Sequence, residues 1–157
     1  MNKISQYIEC DKLLANGGAS FRAPKPGKHL TLDLISPVLP QERFVLDLFE
    51  GQRSSAVILT VSIGRKVSMH MRKSTQMLVR IDIDEKSQHT NPDGTKIRGS
   101  HVHLATEEYG TTIAYPLKSD VGIMVTGGHE DVPSMFESFR GFCHIDTNFR
   151  IEWTLGI

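Results

Sequence analysis

Cysteine is nearly absent from this chain: Cys10 and Cys143 are the only two, they lie far apart, and they form no C-x-x-C pair. That excludes a disulfide framework and a zinc knuckle, and makes a reducing, cytoplasmic setting the expected one. Neither sign of charge is in excess, since 18 Lys and Arg residues balance 18 Asp and Glu. The simplest electrostatic argument for a nucleic-acid binder falls away, leaving only local basic patches. No apolar run is long enough to cross a bilayer, and Glu9, Asp11 and Lys12 interrupt the stretch where a signal peptide needs an apolar segment. Membrane insertion and export are not expected. Repeats, heptads, low-complexity tracts and linkers are missing too, and 157 residues suffice for one domain with a sizeable core.

The patterning that is present reads as an α+β fold. Ile4, Ile8, Leu13 and Leu14 have a loose helical spacing ended by Asn16-Gly17-Gly18, which predicts a short N-terminal helix. Pro24, Pro26 and Gly27 place a loop over Phe21–Lys28, after which Leu30, Leu32 and Leu34 alternate as in a strand. Further strands are expected over Arg43–Phe49 and Ala56–Ile63, separated by Glu50-Gly51-Gln52-Arg53, with another reversal at Gly64-Arg65. Met77–Ile83 reads as a half-buried strand, with Met77, Val79, Ile81 and Ile83 on one side and Arg80 and Asp82 on the other. Asn91-Pro92-Asp93-Gly94 is a β-turn by composition, followed by strands at His101–Leu104 and Thr112–Leu117. After Pro133, the spacing of Met135, Phe136, Phe139, Phe142 and Cys143 predicts an amphipathic helix with an aromatic core stripe, and Phe149–Leu155 a last strand. Consecutive strands with a helix near each end imply one domain with a largely antiparallel twisted sheet.

Chemistry concentrates between Arg80 and Lys118. Residues two apart in a strand share a face, so His101 and His103 place two imidazoles side by side. Such a pair can supply an acid and a base near neutral pH, bind a metal, or hydrogen-bond neighbouring carboxylates and carbonyls. A catalytic zinc centre needs a third ligand, which folding would have to bring from Asp82, Asp84 or His89. Nearby stand Glu107, Glu108, Tyr109, Gly110, Thr111, Thr112 and Tyr115, in which a tyrosine can stack or donate and a threonine can position a phosphate. With Arg80, Arg98 and Lys118 they make the inventory of a phosphodiester pocket. Metal-free RNA cleavage needs a base for the 2′-hydroxyl, an acid for the leaving oxygen and a cation for the phosphorane; two histidines and an arginine fill those roles. Tyr115-Pro116 reads equally well as a strand end with a half-buried ring. Arg65, Lys66, His70, Arg72 and Lys73 form a local basic interval, read first as solvated surface. Gly127-Gly128-His129-Glu130-Asp131 lacks the Lys-Ser/Thr of a phosphate loop and is read as a turn.

Arg80-Ile81-Asp82-Ile83, Asn91-Pro92-Asp93-Gly94, His101-Val102-His103, Tyr109-Gly110 and Ala114-Tyr115-Pro116-Leu117 together resemble the central signature of a family of small bacterial and phage proteins of unknown function, DUF6978. The resemblance spans about Met77–Leu117 and, more weakly, Phe136–Ile145. Thr111-Thr112-Ile113 stands where that family carries an acidic, a basic and an aromatic residue. Its setting among mobile elements implies a role in phage conflict. Two expectations follow from that setting. One is a toxin-like, metal-independent endoribonuclease neutralised by an antitoxin, with His101 and His103 as acid and base, Arg80 as phosphate clamp, Tyr109 or Tyr115 positioning substrate, and Arg98, Thr112 and Lys118 binding it. The other is a non-enzymatic, anti-CRISPR-like inhibitor that binds a host defence protein. No cofactor is expected on either reading, and a metal-dependent hydrolase ranks third.

Overall fold

The computed structural model describes residues 2–52, 66–117 and 132–153. It begins with helix α1 (Lys3–Glu9), capped by Asn2, whose side chain accepts the Ser5 amide at 2.8 Å. The helix is shorter than its apolar spacing predicts, because Cys10 turns to extended backbone (φ −67°, ψ 145°). Leu13 and Leu14, expected on the helix, instead form strand β1 (Leu13–Leu14). The turn is fixed by Lys12, which is fully buried and donates from Nζ to the carbonyls of Ile8, Cys10 and Cys143 at 2.9, 2.8 and 2.8 Å.

Strands β3 (His29–Ile35), β4 (Arg43–Glu50), β5 (Val67–Lys73), β6 (Gln76–Ile83), β9 (His101–Leu104) and β10 (Ala114–Pro116) join β1 in a seven-stranded sheet of order β1-β3-β4-β5-β6-β9-β10, every pairing antiparallel. Alternation gives it one apolar face, where Leu34, Leu46, Leu48, Met69, Met71, Val79, Ile81 and Val102 have no exposed surface. Helix α2 (Val132–Phe142) lies against β5 and α1 against β6, and Met135, Phe136 and Phe139 complete the core as the aromatic stripe predicts. Arg140 is buried in the same layer, with its guanidinium 4.8 and 4.5 Å from the centroids of the Phe136 and Phe149 rings.

Three other details depart from the sequence expectations. Phe21 and Arg22, expected to open a loop, belong instead to strand β2 (Ser20–Arg22), which pairs in parallel with β11 (Arg150–Glu152) as a separate two-stranded sheet. The last strand therefore docks beside the N-terminal segment, not on the main sheet. Met77 does not share the face of Val79: Arg72 pairs with Met77 and Met71 with Val79, so a bulge at buried Leu78 moves Met77 to the polar side. The strand expected over Ala56–Ile63, the Gly64-Arg65 reversal, Lys118 and the Gly127–Asp131 turn lie outside the described residues.

Candidate metal or phosphodiester site

The second face of the sheet is polar, and its chemistry follows from register. One cross-strand row runs Phe49, Ser68, Asp82, His101; the next runs Asp47, His70, Arg80, His103. Two pairs of residues that alternate along their strands, Arg80 with Asp82 and His101 with His103, thus form a two-by-two block. It lies in a cleft of about 580 Å³ whose lining includes Phe49, Lys66, Ser68, His89 and Thr111.

Between β6 and β9 the chain makes a small hairpin, β7 (Gln88–Thr90) and β8 (Lys96–Arg98). Its turn is Asn91-Pro92-Asp93-Gly94, closed by the Gly94 amide on the Asn91 carbonyl at 2.9 Å, with Gly94 at φ +89° where a Cβ is disfavoured. Asn91 also binds the β10 backbone twice: its Nδ2 donates to the Ala114 carbonyl at 3.0 Å and its Oδ1 accepts the Ala114 amide at 2.8 Å. This clip holds the hairpin over the polar face. His89 is thereby brought within 4.8 Å of the His103 ring and 5.8 Å of the His101 ring, centroid to centroid.

Each imidazole is anchored by a backbone carbonyl. His101 Nδ1 donates to Gly99 at 2.9 Å, His103 Nδ1 to Thr111 at 2.7 Å and His89 Nε2 to Thr112 at 2.8 Å. A carbonyl only accepts, so these contacts place a proton on Nδ1 of His101 and His103 and leave Nε2 as the lone-pair atom of each neutral ring, where a second proton lets His101 bond Asp82. Both Nε2 atoms converge on Asp82 Oδ2, at 3.3 and 3.7 Å. The carboxylate is further held by Ser68 Oγ on Oδ1 at 2.8 Å and by Arg80 Nε, 2.8 Å from Oδ2 and 3.0 Å from Oδ1. Burial alone would raise the Asp82 carboxyl, but the bonds from His101 and Ser68 and the charge of Arg80 outweigh it and keep it well below the usual carboxylate range. Its bond to Asp82 raises His101 against the opposing effect of burial, whereas burial lowers His103 despite its carbonyl partner.

The site residues expected from sequence divide into three groups. His101, His103 and Arg80 come together, and Thr112 lines the same cleft. Tyr109, Tyr115 and Arg98 do not join them. Tyr115 pairs with Val102 and packs on the core from the opposite face, Arg98 is exposed beside Gln88 on the small hairpin, and Tyr109 is 44% exposed in a turn. What the Tyr109-Gly110 turn supplies is backbone: with Gly110 at φ +57°, it returns the chain so that the Thr111 and Thr112 carbonyls meet His103 and His89. Lys118 lies outside the described residues. Of the possible third ligands, Asp82 is the one that closes the group; its donor atom and those of His101 and His103 all lie within 4.8 Å of one another. Ser68, which bonds Asp82, and Ser87, which lines the cleft and donates to the Gly99 carbonyl at 2.8 Å, were not legible as site residues, since serines carry no spacing signal. Of the basic interval, Lys73 is engaged with Glu42 and the Tyr7 ring, and Arg72 with its own turn, while Lys66 lines the cleft.

His70, in the middle of the polar face, has a buried Nε2 with no hydrogen-bond partner. Burial, and next the Arg80 charge, lower its pKa, with Asp47 and Asp82 opposing and Arg72 reinforcing. A folded-state pKa below the ordinary 6.5 means that the unfolded chain takes up a proton first as pH falls through that value. The His70 contribution to stability is therefore lost on mild acidification. His70→Gln should flatten this component, so that its melting temperature drops less than that of the wild type between neutral and mildly acidic pH; parallel profiles would remove His70 as the cause.

The site thus defines a protein with a histidine- and aspartate-lined cleft on the polar face of an antiparallel sheet. The chain belongs to DUF6978, a family of unknown function, whose model matches residues 2–145. No curated protein and no solved structure matches it. Among the described residues, no helix is long and apolar enough to cross a membrane.

Proposed function

We propose that the cleft cleaves phosphodiesters and that the protein is a toxin-like endoribonuclease restrained by a partner protein. The observation that carries this reading is Arg80. Its Nε is spent on Asp82, its side chain is 43% exposed, and among the described residues no hydrogen bond leaves its two terminal nitrogens. A guanidinium fixed at one edge and open at the other is a fork for a phosphate, held beside the Nε2 atoms of His101 and His103. RNA suits so small a reactive group, because its own 2′-hydroxyl is the nucleophile and the protein need only move protons and neutralise charge. Restraint by a partner is what the family resemblance implies, and its sign would be toxicity relieved by co-expression of a neighbouring gene.

The test is cleavage of a labelled single-stranded RNA by the purified chain. Arg80→Ala should cost about 10²-fold in rate, the usual loss for one donor to a developing oxyanion, and Arg80→Lys should recover part of it. RNA left intact by the wild type, or cleaved equally well by Arg80→Ala, would remove the proposal.

A further inference from the structure

We propose that Asp82 Oδ2, His101 Nε2 and His103 Nε2 hold a divalent transition-metal cation. Because the Gly99 and Thr111 carbonyls fix the protons on Nδ1, each neutral imidazole presents a lone pair at Nε2. Both lone pairs face a carboxylate oxygen, which has only lone pairs of its own. Three acceptors directed at one point repel unless something positive lies between them. A proton on His101 can bridge the 3.3 Å gap to Asp82, but the 3.7 Å gap from His103 is too long for a hydrogen bond. One proton leaves His103 unanswered; one cation answers all three.

The spacing agrees. Ligands about 2.0–2.1 Å from a tetrahedral ion lie about 3.3 Å from one another. Two of the edges here are 3.3 and 3.7 Å and all three ligand atoms lie within 4.8 Å of one another, so closure of the imidazoles on an ion brings the group to coordination distance. The surroundings are those a ligand set requires: each imidazole donates its other N–H to a backbone carbonyl, and the carboxylate is oriented by Ser68 and Arg80. Two nitrogens and one oxygen select a first-row transition ion over calcium or magnesium, which take all-oxygen shells. Three ligands leave a position open toward the cleft, and the added charge beside Arg80 would draw an anionic substrate there.

This centre stands independently of the phosphodiester reading and departs from the metal-free expectation drawn from sequence. The full chain, stripped with chelator and dialysed, should bind one equivalent of Co²⁺ with the visible absorption of a low-coordinate nitrogen/oxygen site, and Zn²⁺ should displace it. His101→Ala, His103→Ala and Asp82→Asn should each weaken binding at least about 10²-fold, and Ser68→Ala about 10-fold through the loosened carboxylate. His29→Ala and His144→Ala, at exposed histidines elsewhere, should leave it unchanged. Circular dichroism of each variant separates lost ligation from lost fold, and Ser68→Ala, which keeps every ligand, serves where a ligand variant does not fold. No cobalt bound by the stripped wild type, or binding indifferent to His101→Ala and Asp82→Asn, overturns the centre. Stoichiometric cobalt binding without RNA cleavage keeps the centre and removes the endoribonuclease; cleavage undiminished in chelator, with no cobalt bound, does the reverse.

Discussion

Lys12→Met should lower the stability of the chain by about 3 kcal/mol, the usual range when one partner of a buried charged interaction is removed. Methionine keeps most of the length and the apolar stem, so packing changes little. What goes is a donor that satisfies three carbonyls at 2.8–2.9 Å. Ile8 lies in the last turn of α1, Cys10 caps that helix, and Cys143 directly follows α2; these are helix-end carbonyls with no amide donor within the helix. The negative ends of both helices meet at one ammonium, which also lies 5.1 Å from the Phe44 ring centroid. Burial lowers the Lys12 pKa, so the charge carries a desolvation cost that methionine removes. The expected loss is the remainder, because each orphaned buried carbonyl costs about 1–3 kcal/mol and only part of that is returned. For a domain of this size, that is a fall of roughly 6–12 °C in melting temperature. A methionine variant within 1 kcal/mol of wild type, on the same scale, would show that water replaces the ammonium at these carbonyls.

Lys12 also marks where the sequence stopped being readable. Strand alternation, the Asn-Pro-Asp-Gly turn and the aromatic stripe of α2 are local signals, and β6, β9 and α2 formed where these placed them. A lysine between Asp11 and the pair Leu13-Leu14 reads as surface, because nothing local says that a carbonyl 131 residues away completes its coordination. The same limit applies to the bulge at Leu78, which is set by pairing with β5, and to the parallel pairing of β2 with β11. At the site, His101, His103 and Arg80 were legible because alternation fixes a face. Asp82 was visible only as one of several possible partners until register set it opposite His101. Tyr109 and Tyr115 misled by residue type. Chemistry was read into their rings, whereas one ring packs on the core and the other belongs to a turn whose carbonyls orient the imidazoles.

His101→Ala and His103→Ala should each reduce RNA cleavage by about 10³-fold, and the double variant should be no worse than either single one. The equality is the informative part. An acid and a base that act separately contribute separately, so their losses multiply and the double variant would fall by about 10⁶-fold. Two ligands of one ion act as a unit: removal of either leaves a two-ligand site that no longer holds the cation, and removal of the second has nothing left to take away. The geometry favours the unit, since both Nε2 atoms address the same oxygen of Asp82 and neither faces a separate part of the cleft. Asp82→Asn belongs to the same test. It keeps the shape and the bond from Ser68 while losing the charge, so as a ligand variant it should match the histidine losses, whereas a carboxylate that merely orients His101 should cost less. Rates for the two single variants, the double variant and Asp82→Asn, measured on one RNA at one pH, distinguish a shared ion from a divided acid–base pair.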